Sequence, residues 1–286
     1  MPSVRQLKRR IKSVQNTSKI TKAMSMIAAS KMRRAQEAAI NSRPYAMHMK
    51  DILMDVSAQI DSNEFTHPLL AKRQPNTHCL ILITPDRGLT GGLNSNINRR
   101  AGQFILDHQQ KVGIINVGKK GRDFMARSGQ DIKAVFTDIG DKPTFEDIGP
   151  IANIIIDEYT QGRFDQVFLC YTSFVTTTLQ EPGVKPLLPI ELPESNLTTN
   201  SDYIYEPSAS QVLTDMLPRF VAIQIYHAIL ESIASEQSAR MVAMRNATDN
   251  ANQMVDDLTL LMNKVRQESI TKELLDIIGG VAAVEN

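Results

Sequence analysis

Tryptophan is absent from these 286 residues, and aromatic side chains of all kinds amount to 5%. A chain so poor in aromatics and so rich in methionine, with 13, suits helical rods better than a second large core. Cysteine occurs twice, which excludes a disulfide framework or a four-cysteine zinc site. Cys79 and Cys170 fall in apolar runs, His78 to Ile83 and Val167 to Tyr171, that read as buried strands in a reducing environment. No stretch approaches the roughly 20 continuous apolar residues that a membrane span needs, and no signal peptide is visible, so a soluble protein is expected. Acidic residues are missing from Met1 to Gln36. Glycine is missing before Gly88, and both glycine and proline are missing from Arg219 to Ile278.

The last absence reads as one long helix, bracketed by Pro218 before it and Gly279-Gly280 after it. About 60 residues at ~1.5 Å each make a rod of roughly 90 Å, which a domain of this size cannot bury. Apolar or small residues step along it in fours and threes: Met216, Phe220, Ile223, Leu230, Ala234, Met241, Met244, Ala251, Val255, Leu258, Met262, Val265. That spacing is a coiled-coil seam and calls for a partner helix. The start of the chain supplies one. Val4, Leu7, Ile11, Val14, Ser18, Thr21, Ser25, Ala28, Met32, Ala35 and Ala39 begin the same alternation, which continues through Ser42, Ala46, Met49, Leu53 and Val56 to Ile60. Residues 3–60 therefore read as a second long helix, with a kink expected at Pro44. The two chain ends are expected to wind into an antiparallel coiled coil.

Between them the period changes. Short apolar runs at Cys79 to Thr84, Val112 to Val117, Ile132 to Thr137 and Gln166 to Tyr171 read as strands. Helical stretches reaching about Gln110, from Gly118 to Ser128, and up to Thr160 with Pro150 near its first turn, separate them. Such alternation predicts a mainly parallel α/β sheet. Ser173 to Leu179 and the proline-rich Lys185 to Pro193 read as an edge strand and a surface connection, and Glu194 to Asp202 as a polar, mobile segment. The division is 1–62, first coiled-coil helix; 63–207, inserted α/β domain; 208–286, second coiled-coil helix.

Net charge is only +1, yet Arg5, Lys8, Arg9, Arg10, Lys12, Lys19, Lys22, Lys31, Arg33 and Arg34 gather in the acid-free arm. A transit peptide would match the composition, but removing it would strip the long helix of its partner. A nucleic-acid arm usually adds stacking side chains, and no aromatic precedes Tyr45. The preferred reading is a basic face that meets an acidic protein surface or lies inside a protein sleeve. Catalytic constellations are not evident. The turn Asp86 to Gly92 stands where a phosphate cradle would, but fits neither the dinucleotide nor the phosphate-loop spacing, and the same holds for Gly118 to Arg122. The five histidines are scattered, with no metal-ligand spacing.

Three groups of residues carry a family resemblance. They are Ile11-Lys12-Ser13-Val14-Gln15-Asn16-Thr17 with Lys19 to Met24; Asp86-Arg87-Gly88-Leu89 with Gly91-Gly92; and Ser235 to Met244, Ala247 to Ala251 and Asn263 to Leu274. Together they resemble the gamma subunit of F-type ATP synthases. Thr84, where some members carry serine, is a swap between small hydroxyl residues. The resemblance implies a Rossmann-like α/β domain inserted between two long helices that form an antiparallel coiled coil. It implies a rotor shaft inside an alpha/beta hexamer, one copy per complex, whose globular end joins the epsilon subunit and the membrane c ring, with no cofactor and no bond chemistry of its own. By the same resemblance, Met24, Arg240, Arg266, Gln267, Thr271 and Glu273 are beta-subunit contacts. Tyr203, Tyr205, Glu206 and Pro207 meet epsilon and the c ring. The tip from Gly279 to Val284 would be a low-friction bearing, and the absence of a cysteine-bearing insertion argues against a thiol switch. Expected localisation is peripheral, on the cytoplasmic face of a bacterial membrane, with the matrix side of a mitochondrial membrane as alternative. A nucleotide- or phosphate-binding α/β protein with a coiled-coil arm remains the other reading.

Overall fold

The elements run α1 (Val4–Ala58), β1 (Thr77–Ile83), α2 (Leu93–Asp107), β2 (Lys111–Val117), α3 (Lys119–Arg127), β3 (Ile132–Phe136), α4 (Phe145–Thr160), β4 (Gln166–Phe174), β5 (Gln180–Leu188) and α5 (Ala209–Val284) in the computed structural model. The structure describes residues 2–58, 67–108, 110–191 and 205–284; Tyr203 and the polar stretch at 194–202 lie outside the described residues. The chain divides into two compact units, one of Ala29–Arg240 and one of Met1–Ala28 with Met241–Asn286.

In the larger unit the sheet order is β3-β2-β1-β4-β5. Strands β1 to β4 pair in parallel and β5 is antiparallel at the edge. A strand between two helical layers must be apolar on both faces, and β1 is. Cys79, Ile81 and Ile83 point into one core with Ile148, Ile151 and Ile155 of α4, Leu53 and Val56 of α1, and Leu217, Val221 and Ile225 of α5. Leu80 and Leu82 point the other way, onto Ile97, Ala101 and Phe104 of α2 and Met125 of α3. Each such side chain contributes about 1.5–3 kcal/mol relative to leaving it in water. Both thiols lie in these cores. Burial pushes Cys79 above its ordinary range and Cys170 up to about 12, so neither ionises near neutrality. Helix α4 starts at Thr144, whose Oγ1 accepts from Asp147 N while Asp147 Oδ2 accepts from Thr144 N at 2.7 Å, a reciprocal cap.

In the smaller unit the two long helices lie antiparallel. Ser18 Oγ donates to Asn252 Oδ1 at 2.7 Å, Thr21 and Thr248 hydroxyls meet at 2.7 Å, and Ser25 Oγ donates to the Met241 carbonyl at 3.2 Å. Rising numbers on α1 meet falling numbers on α5. Every described position of both predicted seams is buried or half-buried, with Leu7, Ala28, Met244 and Ala251 fully so. The two threonine hydroxyls are tolerated there because each has a carbonyl of its own helix in reach, Ser18 for Thr21 and Met244 for Thr248, so one donates to its carbonyl while the other donates across the seam.

Three boundary readings are corrected. Helix α5 begins at Ala209, because Ser208 Oγ accepts from Gln211 N at 3.2 Å, and it runs through Pro218. It also continues past Gly279-Gly280, since glycine costs a helix only about 1 kcal/mol and does not forbid it. Pro44 is exposed and lies inside α1, which runs on through it as one long helix, as the seam predicted. The edge strand is not Ser173 to Leu179: Ser173 and Phe174 finish β4, a turn closed by Val175 N on the Leu179 carbonyl follows, and β5 starts at Gln180. Strand β5 carries Pro182, Pro186 and Gly183, which a strand paired on one side alone accommodates.

His78, almost fully buried, stands edge-on to Phe168 and His108 at 5.6 and 5.1 Å between ring centres, and its Nδ1 has no hydrogen-bond partner. Burial first, and the charge of His108 second, hold its pKa below the ordinary 6.5; a Gln110 bond and Asp165 pull the other way. The unfolded chain then binds the proton more readily, so this contribution is present above about pH 6.5 and is lost as pH falls toward the folded value. In thermal melts from pH 7 to 5, His78→Leu is expected to lose less stability than the parent chain. An equal or greater loss in the variant would show that His78 does not titrate this way.

Candidate partner-contact surfaces

An open α/β sheet binds ligands at the carboxyl ends of its strands, where the order reverses, here between β1 and β4. The chain fills that crevice itself. Ser235 Oγ of α5 donates to the Thr172 carbonyl at 3.0 Å and Ser238 Oγ to the Thr177 carbonyl at 2.6 Å. Arg240, 8% exposed, pairs with Glu236 at 2.5 Å and reaches the Gly88 carbonyl at 3.4 Å. Gln237 bonds Asp141, which also holds Lys31. The turn after β1 is occupied as well. Asp86 accepts from the backbone N–H of Lys119 at 2.9 Å and of Asp138 at 3.0 Å, and Thr84 Oγ1 accepts from Gly121 N at 2.8 Å. A serine at 84 would keep that bond. What remains is a space of about 50 Å³ bounded by Thr84, Asp86, Gly118, Ser232 and Glu236, against the roughly 300 Å³ or more of a ligand pocket. Among the described residues no group of three or more metal-ligating side chains comes together.

The surface of the smaller unit is of another kind. Arg5, Lys8, Arg9, Arg10, Lys12, Lys19 and Lys22 are all exposed along α1, interleaved with Ile20, Met26 and Ile27, each more than half exposed. On α5 every described side chain from Arg266 to Ile278 is exposed, including Ile270, Leu274, Leu275, Ile277 and Ile278. Arg266, Gln267, Thr271 and Glu273 fall within two turns of this segment, Gln267 and Thr271 on one stripe, Arg266 and Glu273 on another. Met24, half-buried, lies between Thr21 and Ser25, which meet Thr248 and Met241. Some 20 residues of helix, roughly 30 Å, separate that level from Arg266. Arg240 belongs to the larger unit, with its guanidinium engaged inside the chain. Tyr205 packs against the larger core just ahead of α5, with Glu206 and Pro207 exposed beside it.

Sequence reading did not find the anchoring role of Ser235 and Ser238, the double backbone bond of Asp86, or Thr248 as a seam residue. An i, i+3 pair of serines on a long helix carries no local signal of a distant carbonyl. Thr248 was findable, since it continues the three-four alternation between Met244 and Ala251.

Residues 3–284 match the family described as ATP synthase. The chain is 51% identical to the ATP synthase gamma chain of Dehalococcoides mccartyi strain CBDB1 over 287 residues, covering 99% of this chain and 100% of that one. With the ATP synthase gamma chain of Roseiflexus sp. strain RS-1 it shares 48% identity over 287 residues, covering 99% of each. Its structure is similar to a chain in the central stalk and c ring of the Tetrahymena thermophila mitochondrial ATP synthase, at TM-score 0.62 and 28% identity over 80% of this chain and 99% of that one. A chain of the Euglena gracilis mitochondrial ATP synthase shares the fold at TM-score 0.69 and 20% identity, over 98% of this chain and 94% of that one.

Proposed function

The chain belongs to the ATP synthase gamma chain family and is a central-stalk subunit of an F-type ATP synthase, and from that premise we propose that it carries torque between a membrane c ring and an alpha/beta catalytic hexamer without bond chemistry of its own. The observation that carries this reading is the exposed apolar surface on the smaller unit. A helix pair built to stand in water would not present Ile20, Met26, Leu260, Ile270, Leu274 and Ile278 to it. A protein sleeve would cover them, each gaining about 1.5–3 kcal/mol if fully buried. The exposed basic residues of α1 would face carboxylates of that sleeve, a screened attraction that guides rotation without locking it. One asymmetric shaft then meets three equivalent sites with three different faces and biases each toward a different conformation.

Arg266, Gln267, Thr271, Glu273 and Met24 would touch beta subunits directly. Arg240, being buried, would act by fixing the Gly88 turn against α5. Tyr205, Glu206 and Pro207, with Tyr203, would face epsilon and the c ring. The self-filled crevice supports a non-catalytic role. Among the described residues no helix is long and apolar enough to cross a membrane, which supports peripheral attachment through partners. The cytoplasmic face of a bacterial membrane is the proposed location.

Co-expression with the cognate alpha and beta subunits tests this. One copy per hexamer is expected, and changing Arg266 and Gln267 both to Ala should lower ATPase activity or assembly about tenfold, the effect of ~1.4 kcal/mol lost from one interface. A well-folded chain that fails to join the hexamer would refute the rotor reading.

A further inference from the structure

A second cleft, of about 930 Å³, opens between α2 and α3 on the sheet face away from α4. The rotor role makes no use of it. Its chemistry is uneven in a way that ordinary surface is not. Three cations line it, Arg99 from α2 and Lys120 and Arg127 from α3, while the acid beside them, Asp123, is held by Arg122 at 2.7 Å. Two amides one helical turn apart on α2 also line it. Asn94 donates its Nδ2 to Thr90 Oγ1 at 3.2 Å, which leaves its Oδ1 buried without a partner. Asn98, 7% exposed, likewise has an Oδ1 without a partner. A buried acceptor left unbonded costs about 1–3 kcal/mol, so these two on the α2 wall of the cleft invite a ligand that brings donors. Half-buried Phe124 adds an apolar ring to the opposite wall.

We infer that the α2–α3 cleft binds a phosphorylated small molecule of the mononucleotide class. The phosphate sits against Arg99, Lys120 and Arg127; hydroxyl or amino donors of the sugar and base reach Asn94 and Asn98; and the base lies on Phe124. Each part of the cleft has its counterpart in that one class, and its volume is within the usual range for such ligands. Inorganic phosphate would satisfy the cations alone and leave both amides unbonded.

Calorimetric titration of the full-length chain with ADP and, separately, with inorganic phosphate tests this. Saturable ADP binding is expected, with phosphate at least about tenfold weaker, a difference of ~1.4 kcal/mol supplied by the donors and the ring. Arg99→Glu with Arg127→Glu, both at exposed positions, should weaken ADP about tenfold or more at an unchanged melting temperature. Asn98→Leu should weaken ADP while leaving phosphate as it was. The inference is overturned if ADP does not saturate, if phosphate binds as tightly as ADP, or if the charge-reversed chain binds ADP like the parent.

Discussion

Replacing Gly118 by alanine is expected to be among the most destabilising single changes in the larger unit. Gly118 caps α3 with φ at 104° and ψ at 150°, a conformation that side-chain-bearing residues rarely adopt. A Cβ there would come within 1.9 Å of the Thr84 carbonyl oxygen. Neither backbone can give way. Thr84 N donates to the Val117 carbonyl at 2.8 Å, Gly118 N donates to the Phe136 carbonyl at 2.7 Å, and Thr84 Oγ1 holds Gly121 N. The clash must displace the carboxyl ends of three adjacent strands, at about 4 kcal/mol or more. For a domain of this size that lowers the melting temperature by roughly 8–16 °C. Gly102→Ala is the contrasting change. It sits inside α2 with open space where its Cβ would go, and should stabilise by about 0.5–1 kcal/mol. Thermal melts of the two variants in opposite directions are the expected result. A Gly118→Ala chain that melts with the parent would mean that the turn relaxes freely.

Arg240→Ala should cost about 3–5 kcal/mol at neutral pH, because it strands the Glu236 carboxylate inside the protein. Burial raises the Glu236 pKa above the ordinary 4.5, and the Arg240 charge and hydrogen bond offset part of that rise. Without Arg240 the folded value climbs further. A group whose folded pKa exceeds its unfolded one binds protons more readily when folded, so the folded state loses stability as pH rises through that interval. The gap in urea midpoint between parent and Arg240→Ala is therefore expected to be widest at pH 7 and to narrow toward pH 5. Changing Glu236 to Gln in the same chain should recover part of the loss at pH 7 and flatten the dependence. A gap that stays constant with pH would point to lost packing around the guanidinium rather than to the carboxylate. In the assembled complex, the same variant separates the two ways in which Arg240 could matter. An indirect role through the Gly88 turn predicts that assembly falls in step with stability.

The sequence by itself determined the two long helices and their partnership. A seam is a local, repeating property, and Val4 to Val56 and Met216 to Val265 each announce their buried stripe every three or four residues. It also determined the class of the inserted domain, since β1, β2 and β4 are apolar runs of strand length separated by helical ones. Chemistry at the sheet's carboxyl edge was not legible. Whether Asp86 to Gly92 cradles a phosphate depends on what lies against it, and the occupant, Ser235 to Arg240, is about 150 residues away along the chain. Helix ends were misread for a related reason. Pro218 is a stop signal only when nothing else holds the helix, and tertiary packing around Leu213, Leu217 and Val221 outweighs its local cost, whereas Gly279-Gly280 lowers the local helix preference without forbidding the helix. Partner residues divide along the same line. Exposure of Arg266, Gln267, Thr271 and Glu273 follows once the seam runs out at Val265, whereas the burial of Arg240 came only from the fold, because a charged side chain gives no local sign that a buried glutamate one turn back and a distant carbonyl are waiting for it.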